Sequence, residues 1–558
     1  MTGGLGKLSR YLLAGASAIG MLAIGNPEAR ATDVQQLEQT LLAVQEQVRE
    51  LQREVASAKA AAASAQSTAA RAASGAGGGG EDIDLKIKWR GAPEFSSADG
   101  QFKFKLRGRV DADFNHINQD TTTTFAPDVS GTAIRRARLG FEGVAFYDVK
   151  YVLEADFAEN AVSLNDAYIQ YTGLPVAVTL GNFKTPNSLE EMMSANYITF
   201  MERAAFVEAF GLTRQIGAGL SYNAEYFTLA AGIFGAAAAP SPLFNPGFGN
   251  PAFVGNETKA FAARGTVAPI NREVNGVNQV LHFGASIRER ESGNGEPFLQ
   301  YQARAADLFL ANRLVNTNRV GDSDRFWGLE AAGVWGPLSV QGEYTELQVD
   351  LPGGSFIRNT STAAANGLPV GNPFVLPPTP TRANPFIGVP NPTYSGWYAD
   401  ASLFLTGETR PYKDGVFQRV KVKNPVTWSK GGGWGAWQIA GRFDVLDLSD
   451  SAFNTALASP VSNFTGGCTN TTVGVNVDTG ANPVRIAQCG QQETWLVGVN
   501  WYLNDYVRLM FNYTESELSS YPITTVTENT SGVPTGTDVK GFDGAKIRGF
   551  GARAHVDW

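Results

Sequence analysis

Residues 101–114 read Gln-Phe-Lys-Phe-Lys-Leu-Arg-Gly-Arg-Val-Asp-Ala-Asp-Phe. Phe102, Phe104, Leu106, Gly108, Val110, Ala112 and Phe114 are nonpolar, and every residue between them is polar or charged. A period of two marks a β-strand with one apolar and one wet face. The alternation returns at 133–146, where Ala137, Leu139 and Phe141 stand against Arg136, Arg138 and Glu142. At 148–158 it sets Tyr151, Leu153 and Phe157 against Lys150, Glu154 and Asp156. Carried to the end of the chain, the reading gives sixteen strands: 101–114, 133–146, 148–158, 163–172, 175–183, 214–222, 225–234, 258–268, 279–290, 324–336, 338–350, 393–407, 433–446, 490–503, 505–516 and 544–558.

The connections between these strands alternate in length. They are long after most odd-numbered strands and short after most even-numbered ones, often a single Gly336-Pro337 or Asn504-Asp505 turn. Two depart from the rule: 159–162 is short, and 408–432 is long where a turn is expected. An even number of antiparallel strands of about ten residues, with turns at one end and loops at the other, is the layout of an outer-membrane β-barrel. A soluble sandwich would alternate too, but it gives no reason for loops to lengthen at one end only. Trp327, Trp335, Trp397, Tyr398, Trp495 and Trp501 cluster at strand ends, where aromatic girdles lie. Trp558 closes a last strand in phase with Phe550, Ala552, Ala554 and Val556.

Composition agrees. The 558 residues include 62 Gly and are 11% aromatic but only 18% charged, against about 25% in ordinary domains. Low charge suits a wall that meets lipid. No apolar helix long enough to cross a bilayer is expected; the longest charge-free stretch, 226–256, is broken by Pro240, Pro242, Pro246 and Pro251.

Ahead of the strands the chain divides into three. Residues 1–31 have a secretory signal's anatomy: basic Lys7 and Arg10, an apolar run at 11–25 and a small-x-small site at Ala29-Arg30-Ala31. Residues 32–73 carry heptads, with Val34, Leu37, Leu41, Val44, Val48, Leu51, Val55 and Ala58 at alternating spacings of three and four. They are expected to form a self-associating coiled-coil helix in the periplasm, about 60 Å long over 34–73 at ~1.5 Å per residue. Such a helix would reach towards the cell wall. Residues 74–100 form a Gly-rich linker leading into the barrel at 101–558.

Removal of Lys7, Arg10, Glu28 and Arg30 with the signal takes away a net +2 and leaves the mature chain at −10. That balance argues against nucleic acid as a partner. The wet faces tell a different story. Lys103, Lys105, Arg107 and Arg109 share one row, Arg136 and Arg138 a second, and Arg288 and Arg290 a third. Rows of basic side chains in a lumen favour anions, although the carboxylates on the same faces are available to pair with them. The 184–213 connection mixes Glu190, Glu191, Glu202, Arg203 and Glu208 with Met192, Met193, Ile198, Phe200 and Met201. Packing inside the barrel as a constriction would explain so apolar a loop; packing on a neighbouring subunit is the alternative.

Cys468 and Cys489 fall in one long connection and are expected to form a disulfide in an oxidising compartment. His116, His282 and His555 are scattered, and no nucleophile elbow, metal-binding His pair or phosphate loop is present in the sequence. Neither enzymatic chemistry, a metal nor a cofactor is expected.

Several stretches carry a family resemblance: IRRARLGFEG at 134–143, LNDAYIQY at 164–171, GNFKTP at 181–186, YITFMER at 197–203, LTGETRP at 405–411 and WYLNDYVRL at 501–509. Together they resemble the phosphate-selective porin O and P family. The resemblance implies a homotrimeric, sixteen-stranded channel in a Gram-negative outer membrane, with an arginine-lined entrance and a lysine-bearing constriction that pass phosphate or polyphosphate. It also implies that Arg288 and Arg290 form a short version of the arginine series, and that Asp166, Glu202 and Arg203 lie at the constriction. Aligned on Thr199, Glu202 and Arg203, the family's central lysine falls at Asn196.

Overall fold

The computed structural model describes Arg49 and residues 85–558 apart from 121–127, 159–161, 239–257, 294–298, 312, 352–390, 428–430, 451–489, 520–523, 529–533 and 540–543. Met1–Ile83 and Asp84–Trp558 are separate units, and the second carries everything below. The expected signal segment, the expected coiled-coil helix apart from Arg49, and Cys468 and Cys489 lie outside the described residues.

Sixteen strands form the wall: β1 (Lys103–Asp120), β2 (Val129–Ala145), β3 (Val149–Asp156), β4 (Ser163–Tyr171), β5 (Ala177–Lys184), β6 (Arg214–Asn223), β7 (Phe227–Phe234), β8 (Lys259–Val274), β9 (Val277–Glu291), β10 (Ser323–Trp335), β11 (Leu338–Asp350), β12 (Thr393–Phe404), β13 (Ala436–Asp447), β14 (Gln491–Asn504), β15 (Val507–Ser519) and β16 (Ala545–Asp557). Each pairs antiparallel with its neighbours, and β16 returns to β1 in register from Lys546↔Asp120 to Asp557↔Arg109. The barrel is therefore closed and leaves no free edge among these strands. Every alternating segment of the sequence coincides with one observed strand. A short hairpin, Leu85–Arg90 and Ala92–Ser97, precedes β1 and pairs with its first residues through Glu94, Phe95 and Ser96. Its turn residue, Gly91, has φ +78°, a backbone conformation that side-chain-bearing residues resist.

The apolar phase faces outward. Leu139, Ile169, Leu180, Ile216, Leu229, Leu329, Val340 and Val497 are all exposed, as a lipid-facing wall requires. Trp335, Trp397 and Trp495 stand on the same outer surface, but Tyr398 does not: one residue on from Trp397, it points inward, fully buried, and its hydroxyl donates to Glu343. Period two makes adjacent residues face opposite ways. Leu329→Arg, in the middle of β10, is expected to destabilise the barrel by about 2–4 kcal/mol. Urea unfolding in lipid vesicles would measure it; an unchanged midpoint would mean that this wall does not meet lipid.

Two of the register shifts in the wall bear on the lumen beside β1–β4. Asp111 pairs with Arg136 and Ala112 with Ile134, so Arg135 is an extra residue in β2. Asn165 is extra in β4, between the Glu154↔Asp166 and Ala155↔Leu164 pairs. An extra residue resets the phase, and consecutive side chains then share a face.

Candidate functional site

The lumen is filled unevenly. The connection after β5 folds into it and crosses to the far wall, carrying two short helices, α1 (Leu189–Met192) and α2 (Ala205–Phe210). Ser188 and Glu191 start α1: the Ser188 hydroxyl accepts from the Glu191 N–H at 3.1 Å. Glu343 of β11 accepts the Leu189 and Glu190 N–H groups at 2.9 and 2.8 Å. Asp444 of β13 accepts from Ala205 at 3.1 Å, Asn500 of β14 donates to the Thr199 carbonyl at 2.8 Å, and Arg508 of β15 donates to that of Ile198 at 2.9 Å. Phe200, Phe206, Phe210, Met193 and Met201 are buried by this contact. The loop's apolar side chains thus pack inside the barrel.

Two further segments narrow the lumen. From the long-loop end, residues 299–314 cover α2, with Leu308 against β16 and Arg304 paired with Glu208. From the turn end, the long connection after β12 enters and packs Phe417 on Leu189 and Met193. There Arg264 donates to the Gly415 carbonyl at 2.9 Å, and the Tyr412 hydroxyl meets the His282 ring at 2.6 Å.

A cavity of ≈590 Å³ lies open beside β1–β7. Ten Lys or Arg side chains line it against five Asp or Glu, although the whole chain is acidic. Lys105, Arg107, Arg109, Arg136 and Arg138 all line it, as do Asp166, Asn196 and Arg203. Lys103 lies outside, exposed at the turn end. Most of the arginines are paired. Arg107 meets Glu154 at 2.8 Å and Glu142 at 3.1 Å, Arg138 meets Asp156 at 2.7 Å, Arg136 meets Asp111 at 3.0 Å, and Arg203 meets Glu191 at 3.3 Å. Asp166 accepts two hydrogen bonds from Arg214, at 2.7 and 3.2 Å.

Arg109 differs. Among the described residues it is the cavity arginine without a carboxylate in ion-pair distance; it donates to the Asn196 amide oxygen, and its Nε has no partner. Asn196 in turn donates to Asp557 at 2.6 Å, so its amide is held between a cation and an anion. Glu202 stands behind the lining. It takes a forked pair of bonds from Arg135 at 2.9 and 3.1 Å and one from Arg553 at 2.7 Å. Burial pushes the Glu202 carboxyl up, but Arg135, Arg136 and Arg553 outweigh it and hold the group well below the usual carboxylate range.

Arg288 and Arg290 are not brought to the cavity. Both pair with Asp324, Arg288 at 3.1 Å, and Asp324 also accepts from the Tyr301 hydroxyl at 2.8 Å. They fasten the 299–314 segment and α2 to the wall. Arg135, Lys184, Arg214 and Arg419 line the cavity without having been singled out from the sequence. An arginine on the apolar phase of an amphipathic strand was the available signal for Arg135. For Arg419 it was the excess length of 408–432.

A closed sixteen-stranded barrel with an apolar outer wall and a charged, partly obstructed lumen is an outer-membrane porin, a channel rather than an enzyme. The chain belongs to the phosphate-selective porin O and P family, whose family model matches residues 104–533. It is 26% identical to Porin O of Pseudomonas aeruginosa over 466 residues, covering 78% of this chain and 87% of that one. It is 28% identical to an uncharacterized protein of Caulobacter vibrioides over 430 residues, covering 77% and 71%. Among solved structures, the anion-selective porin from Comamonas acidovorans aligns over 82% of this chain and 100% of that one, at 11% identity and a TM-score of 0.41.

Proposed function

We propose that this porin passes small anions in preference to cations, with phosphate or polyphosphate as its solute class. The observation that carries the reading is the lining of the cavity, ten basic side chains against five acidic ones, with no carboxylate among the described residues within ion-pair distance of the Arg109 guanidinium. In a narrow, partly desolvated passage such local charge outweighs the net charge of the chain. The family's name points the same way. We read the assembly as a homotrimer whose heptad-bearing residues 32–73 stand in the periplasm, where they help trimerise the barrel or tether it to the cell wall.

Asn196 favours a second reading. Where the family resemblance places a lysine, this chain has an amide already engaged by Arg109 and Asp557. The channel would then prefer anions without selecting phosphate among them. One experiment separates the readings. In planar bilayers under a KCl gradient, the reversal potential is expected to take the sign for chloride preference, and a cation-preferring sign would overturn both readings. Millimolar phosphate added to the same membrane should reduce the chloride current under the first reading and leave it unchanged under the second.

A further inference from the structure

Asp307, in the segment that covers α2, and Asp444, on the lumenal face of β13, are 3% and 0% exposed. Their carboxyls lie within hydrogen-bond reach of each other. Asp444 accepts the Ala205 N–H with one oxygen, and its other oxygen and Asp307 Oδ2 have no donor among the described residues. Two buried carboxylates in contact cannot both be ionised without a large penalty, so the geometry requires a proton between them. Arg442 is the cation that faces the pair from β13; Glu190 from α1 and Glu208 from α2 add negative charge.

The segment that Asp307 belongs to covers the outer side of the lumenal loop. Leu308 fills the space over Gly549 and Gly551, so that a Cβ at either glycine would come within 2.6 Å of it. The Leu310 N–H donates to Asn115 at 3.1 Å. Phe309 lies under the guanidinium of Arg135 at 4.5 Å, and Arg135 lines the passage. Loosening this segment therefore changes the passage itself.

We propose that residues 304–311 form an outer gate latched by one proton shared between Asp307 and Asp444. Below the titration of the pair the carboxyls bond and the segment stays seated; above it two negative charges face each other in a dry site and the segment lifts. Burial and the adjacent Asp444 hold Asp307 well above the usual carboxylate range, so the latch persists into mildly acidic solution and fails as the pH rises. Asp307 has φ +46°, which asparagine tolerates as aspartate does. Asp307→Asn, and separately Asp444→Asn, can therefore mimic the singly protonated pair, keeping its one negative charge but not its titratable proton.

The test is single-channel conductance of the full chain between pH 5 and 9, together with hydrogen exchange of residues 299–314 corrected for the intrinsic rate. The wild type is expected to gain conductance and lose protection of that segment as pH rises. Either asparagine variant should stay protected and lose the step. A wild type with flat conductance and exchange overturns the gate, as does a step that survives in both variants. If neither variant inserts, the wild-type exchange profile decides alone: protection lost with alkalinity upholds the latch, and flat protection removes it.

Discussion

Arg109→Glu is expected to abolish the anion preference and move the reversal potential towards that of potassium. The substitution changes the lining from ten basic against five acidic side chains to nine against six, and it does so at the cavity arginine that makes no direct ion pair among the described residues. A unit charge about 4 Å from a passing ion is worth about 1 kcal/mol in water and about 4 kcal/mol in a medium of intermediate dielectric. For a two-unit change in a wet passage, an effect on the order of 2 kcal/mol follows, roughly thirtyfold in local anion occupancy. Arg109→Gln should give an intermediate result. Lys103→Glu provides the control, because it makes the same change of charge at an exposed position outside the cavity. If Lys103→Glu shifts the reversal potential as far as Arg109→Glu, total charge rather than this site governs the pore.

The strands were legible because their physics is local. Lipid on one side and water on the other impose a period of two, and Phe102 to Phe114 show it residue by residue. The inward course of the 184–213 loop was half legible: its methionines and phenylalanines demanded burial, but only the pairing of Glu343, Asp444 and Arg508 with its backbone shows where. The basic rows are legible as rows, but a row on one strand face does not say which of its members share a cavity. Arg288 and Arg290 sit in the right phase, yet the segment 299–314 closes over them and Asp324 occupies both. Arg135 failed the alternation rule because the bulge that turns it inward leaves no mark beyond one misplaced charge. Residues inside the lumen that look as if they belonged outside follow the same logic. Ile117, Leu347, Leu518 and Ile547 lie on the lumenal phase because loops rather than water cover that end. Period fixes the face of a strand; what covers the face is tertiary and depends on partners far away in sequence.

Arg442→Ala is expected to be the most destabilising single change in the lumen. The Arg442 side chain is fully buried, packs against the rings of Phe200 and Tyr398 at 4.7 and 4.6 Å, and pairs with Glu190 and, at 3.0 Å, with Asp400. It fastens α1 to β13. Removing one member of a buried ion cluster strands the charges left behind, typically a loss of about 3–5 kcal/mol. Here two carboxylates would be stranded, with Asp444 and Glu343 nearby to worsen their repulsion. The relief available to the protein is to release the lumenal loop, so the variant should unfold at lower urea and, while folded, conduct more current with weaker selectivity. Charge, not volume, drives this outcome. The triple change Arg442→Met, Glu190→Gln and Asp400→Asn removes both ion-pair partners together with the cation and should recover much of the stability, since neutral replacements of buried ion pairs are often tolerated. If the triple variant is as unstable as Arg442→Ala, the loop is held by packing of the guanidinium against the two rings, and the electrostatic account fails. If Arg442→Ala alone leaves both the urea midpoint and the conductance unchanged, the lumenal loop is anchored by Glu343, Asn500 and Arg508 without it.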